Sequence, residues 1–191
     1  RVDGWIGYAQ EFNGDNDHLR LNEVDDGIWS AVTVQVWMNP ADHGDDRVFA
    51  KGWGHGDGDN VWQLGKDSAI KVRNHTDGDA GTFEGGQVWT IGSWYHFAYT
   101  WDVGDGGALR CYQNGVLEIE TTQAGDDLEN STRKPIIGNV ANFALDRGFT
   151  GLLQEARLSY VARSQAWIAA EHFNVSSPST FYTVSDEEVV H

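Results

Sequence analysis

The sequence predicts an all-β domain, a two-sheet antiparallel β-sandwich of the jelly-roll kind with one short helix near the C-terminus. Three observations carry that expectation. Trp94 to Trp101 and Ala108 to Tyr112 form two alternating stretches that close on an Asn114-Gly115 turn, the pattern of an antiparallel hairpin. Nine Trp, eight Phe and six Tyr accompany 23 Gly and only three Pro, which suits pleated aromatic surfaces joined by tight turns. Many short strand-like runs follow one another with no long helical period between them.

Taken in order, the strand-like runs are Ile6 to Phe12, His18 to Asn22, Val32 to Met38, Arg47 to Lys51, Val61 to Leu64 and Ala69 to Arg73. They continue with Gln87 to Ile91, Tyr95 to Trp101, Leu109 to Tyr112, Val116 to Thr121, Pro135 to Ile137 and Leu152 to Tyr160. Turn signals separate nearly all of them. The helical candidate is Ser164 to Phe173, where Ser164 can cap the N-terminus and Trp167, Ile168 and His172 share a face. The 191 residues fit a single domain over 1–184, followed by an acidic tail at 185–191.

The formal net charge of -16, from 29 acidic and 13 basic residues, argues against nucleic acid or anionic lipid as a partner, because phosphates would be repelled. The acidity has two readings, a solvated surface and local carboxylate clusters that bind hard cations. Cys111 is the single cysteine; it has no disulfide partner in the chain, and its alternating strand makes it a small buried hydrophobe. No run approaches the ~20 apolar residues of a membrane span. Arg1 opens the chain without a Met or an apolar signal region, so a processed or excised module of a larger protein is expected.

Trp94-Tyr95-His96-Phe97-Ala98, followed by Tyr112-Gln113-Asn114-Gly115, resembles the laminin G-like, concanavalin A-like jelly-roll modules of secreted and cell-surface proteins. Phe12-Asn13-Gly14 with Asp17 to Leu21 resembles that family's opening hairpin, Val32 to Trp37 its next core strand, and Gly151 to Arg157 its closing strand. Arg163-Ser164, Trp167-Ile168, Glu171, Asn174 and Pro178 to Tyr182 resemble a tail often attached to bacterial members. The resemblance implies two packed sheets with ligand and calcium sites usually on rim loops, and an extracellular or cell-surface setting. It implies no single substrate, since the fold carries lectins, adhesion modules and glycan-cleaving enzymes alike. One departure stands out: Gln154 precedes Glu155 where the family commonly has an Asp, which weakens the case for a structural calcium site using that Asp.

No catalytic set is expected. Glucanases of the superfamily place three acids at alternating positions, whereas Glu118-Ile119-Glu120 offers two. The lyases of this fold need an Arg-rich strand, yet Arg20, Arg73 and Arg110 each sit alone. The acidic glycine-rich loops at Gly52 to Asn60, His75 to Gly81 and Asp102 to Gly107 supply the carboxylate and carbonyl oxygens that calcium takes, so calcium is the candidate ion and Asp57, Asp59, Asp102 and Asp105 its candidate ligands. Asp-Gly pairs are equally good turn formers. Strand parity puts the three loops on one rim if Gln87 to Ile91 is a strand.

Sugar binding needs an exposed aromatic ring beside polar groups, and Trp53 with His55 and Asn60 fits best, with Trp62 and Trp89 as flanking candidates. Core packing is the competing account of the two strand tryptophans. His96 reads as a hydrogen-bonded core histidine rather than a ligand. The expected function is a noncatalytic carbohydrate-recognition or adhesion module of a multidomain protein, with a glycan or cell-surface ligand. A protein-interaction or spacer module is the alternative, and a glycan-active enzyme the third possibility.

Overall fold

The computed structural model describes residues 2–22, 24, 29–52, 62–76, 79–128, 133–140 and 147–181. Numbered along the chain, β1 (Val2–Asp3), β2 (Tyr8–Asn13), β13 (Thr150–Ser159), β4 (Ala31–Pro40), β9 (Tyr95–Asp102), β10 (Ala108–Gln113) and β11 (Val116–Thr122) line up in that order as a seven-stranded sheet. β3 (Leu19–Arg20), β12 (Ile136–Ile137), β5 (Asp46–Lys51), β6 (Trp62–Asp67), β7 (Ala69–Thr76) and β8 (Asp79–Gly85) form a six-stranded sheet. All the paired strands are antiparallel, as expected.

Alternation decides what lies between the sheets. Phe97, Tyr99 and Trp101 of β9, Leu109 and Cys111 of β10, and Val32, Val34, Val36 and Met38 of β4 point inward and are fully buried. They meet Phe49, Trp62, Leu64, Ile70 and Val72 of the facing sheet in one cluster. Each such aliphatic or aromatic side chain contributes roughly 1.5–3 kcal/mol through burial. Cys111 behaves as the small hydrophobe its strand position predicts, and burial pushes its thiol far above the ordinary range.

The other face of the seven-stranded sheet is also partly covered. Helix α1 (Gln165–Ser176) is capped by the Ser164 hydroxyl, which accepts from the Trp167 N–H at 3.3 Å. Ile168 packs against Ala98 and Tyr112. The His172 ring stacks on Trp37 at 5.3 Å, and Trp37 in turn contacts the His96 ring at 5.4 Å. The β10–β11 hairpin seats the helix. Asn114 and Gly115 adopt φ of 52° and 78°, a twist compatible with the two-residue turn. A Cβ on Gly115 would sit 3.1 Å from Ala169 Cα and 3.2 Å from His172 Cβ. Glycine is therefore required twice, for the backbone angle and for the approach of α1.

Several elements differ from expectation. Gln87 to Ile91 is no strand: Val88 and Ile91 are 73% and 47% exposed, and the segment crosses irregularly between the sheets, with Gly92 N–H donating to Pro40 O. The missing strand is β8, an edge strand whose sequence, Asp79 to Gly85, reads as loop because it holds two glycines; Phe83 packs against the core. Helix α1 runs to Ser176, a second short helix α2 spans Pro178–Phe181, and β1 was not anticipated. β8 takes the place of the expected strand one for one. The ends of β5, β7 and β9 gather at one rim, where Leu128 N–H donates to Trp29 O, Thr76 pairs with Leu128, and Val103 N–H donates to Ser30 O.

His96 is 2% exposed; its Nε2 lies 3.1 Å from Gln35 Oε1, and burial followed by the charges of His172 and Arg157 lowers its pKa to about 3. His172 is lowered too, by burial. Because the folded value lies below the ordinary imidazole value, the unfolded chain takes up the proton first. The stability held by neutral His96 is complete above about pH 6.5 and is lost as pH falls toward about 3. Urea unfolding is expected to show a loss of about 2 kcal/mol from about pH 7 to about pH 5. A His96→Asn variant should lose clearly less over the same interval. Gly115→Ala is expected to lower stability by about 1–3 kcal/mol, measured by the shift in urea midpoint at constant slope.

Candidate functional site

The rim where β5, β7 and β9 end is built on aromatic packing. Trp29 stacks on Trp62 at 6.4 Å, the Lys51 ammonium lies 4.9 Å from the Trp29 ring centre, and Tyr160 leans on Trp29 at 4.5 Å. Trp53, His55, Asp57, Asp59 and Asn60 lie outside the described residues. The described candidates are not free to serve as expected. Trp62 is wholly buried against Phe49, and Trp89 is 2% exposed between His43 and Phe97, away from this rim, so neither offers a ring face to a sugar. Their inward register or loop position places them in the core.

Asp102 and Asp105 have internal partners. The Asp102 carboxylate accepts from the Gly104 N–H at 2.7 Å and caps a single 3-10 turn, Val103–Asp105. Asp105 pairs with Arg110 at 2.7 Å, and Arg110 also holds Glu120 at 2.7 Å. Among the described residues no group of three or more His, Cys, Asp or Glu side chains is arranged to hold a metal.

The family's closing-strand calcium site can be tested on Gln154. Its Oε1 accepts from the Trp5 N–H at 2.9 Å, while its Nε2 donates to Ile6 O. One carboxamide thus uses a donor and an acceptor together to hold the Trp5–Ile6 segment. An Asp has no donor for the Ile6 carbonyl, and a calcium ion needs oxygens where this amide presents NH2. The residues present do not fit that ion. Trp5, which the sequence did not single out, is 47% exposed and stacked on Trp37 at 6.0 Å.

The densest polar arrangement lies elsewhere, on the outer face of the six-stranded sheet. Asp45 Oδ1 receives Arg47 Nη1 at 2.6 Å and Lys71 Nζ at 3.0 Å, and Asp45 Oδ2 receives Arg147. Lys71 also meets Glu84 at 2.7 Å and Asp67 at 3.6 Å. Arg47 Nε donates to Gln63 Oε1 at 2.8 Å. Burial alone would raise the Asp45 carboxyl, but the hydrogen bonds and charges of Arg47 and Lys71 outweigh it and hold it far below the usual carboxylate range. Lys71 is likewise raised, burial being outweighed by Glu84 and Asp45. Arg73, next but one along β7, stands between Gln63 of β6 and Thr82 of β8.

Sequence reasoning passed over this face because its charges come from separate parts of the chain. The available signal was Lys71 and Arg73, two basic residues at alternating positions in a chain with few of them. The outer face of the seven-stranded sheet, by contrast, is occupied by α1, beside which a cleft of about 340 Å³ is lined by Gln35, Arg157, Arg163 and Trp167 among others. Its cations are engaged: Arg157 pairs with Glu155 and Glu171, and the Arg163 guanidinium lies 4.9 Å from the Trp167 ring centre.

Solved structures share this arrangement of sheets. The sialidase carbohydrate-binding module of Ruminococcus gnavus bound to α2,3-sialyllactose aligns with a TM-score of 0.70 at 12% identity, over 86% of this chain and 96% of that one. Domain 4 of an extracellular arabinanase from Geobacillus stearothermophilus, in complex with arabinotriose, aligns with a TM-score of 0.65 at 22% identity, over 88% and 78%. A heptameric SAP-like pentraxin from Limulus polyphemus aligns with a TM-score of 0.64 at 18% identity, over 87% and 80%. At these identities the likeness is one of fold. No curated protein matches the chain. Residues 13–169 match the family described as the concanavalin A-like lectin/glucanases superfamily, and the chain, with its two packed antiparallel sheets, belongs to that family.

Proposed function

We propose that this protein is a noncatalytic glycan-binding module. The observation that supports it best is the fold shared over 86% and 88% of the chain with two domains solved with sialyllactose and arabinotriose bound. A rigid polar face adds to it, because sugar hydroxyls are selected by donors and acceptors held in fixed positions. Arg47 and Lys71, held through Asp45, and Gln63, held through Arg47, form the buried layer beneath that face, and Arg73 and Thr82 lie beside them nearer its surface.

The proposal extends to an extracellular or cell-surface setting within a larger protein, on the strength of the family resemblance. It includes calcium, with Asp57 and Asp59 as the remaining candidate ligands, since Asp102 and Asp105 already hold Gly104 and Arg110. A protein-binding or spacer role is the second reading, favoured by the burial of Trp62 and Trp89.

Screening on a glycan array with and without chelator is expected to give binding to at least one glycan class. Chelator should weaken that binding while leaving the thermal unfolding midpoint in the range of a folded domain. A protein ligand captured with no glycan bound would sink the sugar-binding reading. Saturating calcium at about a hundred times its Kd is expected to stabilise the fold by about 2.7 kcal/mol, read as a rise in midpoint of several degrees. An unchanged midpoint would remove calcium from the proposal.

A further inference from the structure

Four of the chain's 13 basic residues, Arg47, Lys71, Arg73 and Arg147, meet on the outer face of the six-stranded sheet in a protein of net charge -16. Three of them converge on the single carboxylate of Asp45. Arg73 does not. Among the described residues no carboxylate or carbonyl receives its guanidinium, and its Nε is buried with no acceptor. Burial and the charges of Arg47 and Arg147 work against its protonated form, with only Asp45 and Glu84 opposing them.

A buried charged donor without an acceptor is uncommon, because desolvation of such a group costs more than that of a neutral one. Two flanking groups define what would satisfy it. Gln63, directly opposite Arg73 on β6, gives its Oε1 to Arg47, so its remaining function is the donating NH2. Thr82, directly opposite on β8, is exposed and presents a hydroxyl. Cross-strand neighbours of this kind stand about 5 Å apart. In the row Gln63, Arg73, Thr82, a buried amide donor backs the planar cation on one side and an exposed hydroxyl stands on the other.

A guanidinium fork matches a planar carboxylate with two parallel hydrogen bonds, which a neutral hydroxyl cannot offer. We propose that Arg73, flanked by Gln63 and Thr82 and backed by the Asp45-bound cations, receives the carboxylate of an acidic sugar, so that the module selects carboxylate-bearing glycans. This inference rests on the glycan-binding reading and narrows it to a ligand class. The ion pairs around Asp45 act beneath the site, fixing Arg47 and hence Gln63.

Isothermal titration of the full chain against a uronic-acid oligosaccharide, a sulfated oligosaccharide and a neutral oligosaccharide of equal length tests it. The uronic-acid ligand is expected to bind best. Arg73→Gln should weaken it at least about tenfold, and Arg73→Lys, which keeps charge but loses the fork, should restore only part. The thermal midpoint of each variant confirms folding. In the unmodified protein, free uronic acid in excess should compete. Unchanged affinity in Arg73→Gln, or binding of the neutral ligand alone, overturns the carboxylate site and leaves a glycan module standing. Arg73-dependent binding of the sulfated ligand alone overturns the choice of carboxylate. No binding to any glycan overturns this site together with the function on which it rests.

Discussion

Asp45 is the point on which the charged face depends. Three cations from separate parts of the chain, Arg47 on β5, Lys71 on β7 and Arg147 just before Phe149, share its two oxygens. Without it, like charges would be held close together on one sheet with only Glu84 and Asp67 at the margin. The arrangement is unlike an exposed ion pair, which contributes little, because Arg47 and Lys71 are 2% and 8% exposed. Removing one partner of such a group leaves the others uncompensated. The carboxylate therefore fixes where positive charge sits in a molecule that is otherwise strongly acidic.

Burial on the other sheet narrows where a ligand can go. The seven-stranded sheet has its inner face in the core and its outer face under α1, where Ile168 and His172 fill the space over Ala98, Tyr112 and Trp37. Its hairpin is scaffold on both sides. Besides the cleft beside α1, the outer face of the six-stranded sheet and the rim beyond Trp101 are open to a ligand. These two surfaces have opposite chemistry, one rich in fixed cations and the other in carboxylates.

The fold was largely legible in the sequence because alternation and turn chemistry are local. Phe97, Tyr99 and Trp101 announce their face by spacing alone, and Asn114-Gly115 announces its turn. Where local signals conflict with tertiary context, the reading slipped. Trp89 is buried from an irregular loop, so its alternating neighbours mimic a strand, while β8 hides behind its glycines. The charged face was illegible for a different reason. Asp45, Lys71, Arg73 and Arg147 become one group only when β5, β6 and β7 pair and the chain returns past Phe149. Single charges scattered over about a hundred residues carry no local pattern. Trp62 and Trp89 were named as possible sugar contacts on residue type, and register, which residue type does not specify, decided against both.

The Gln154 carboxamide has a wider consequence. By holding Trp5 and Ile6 through its own donor and acceptor, it closes the sandwich near β1 with the chain's own hydrogen bonds. Where an ion closes such a corner instead, folding and ion supply are one equilibrium. Here the two are uncoupled at that corner. A corner tied by amide hydrogen bonds draws nothing from the divalent cations around it.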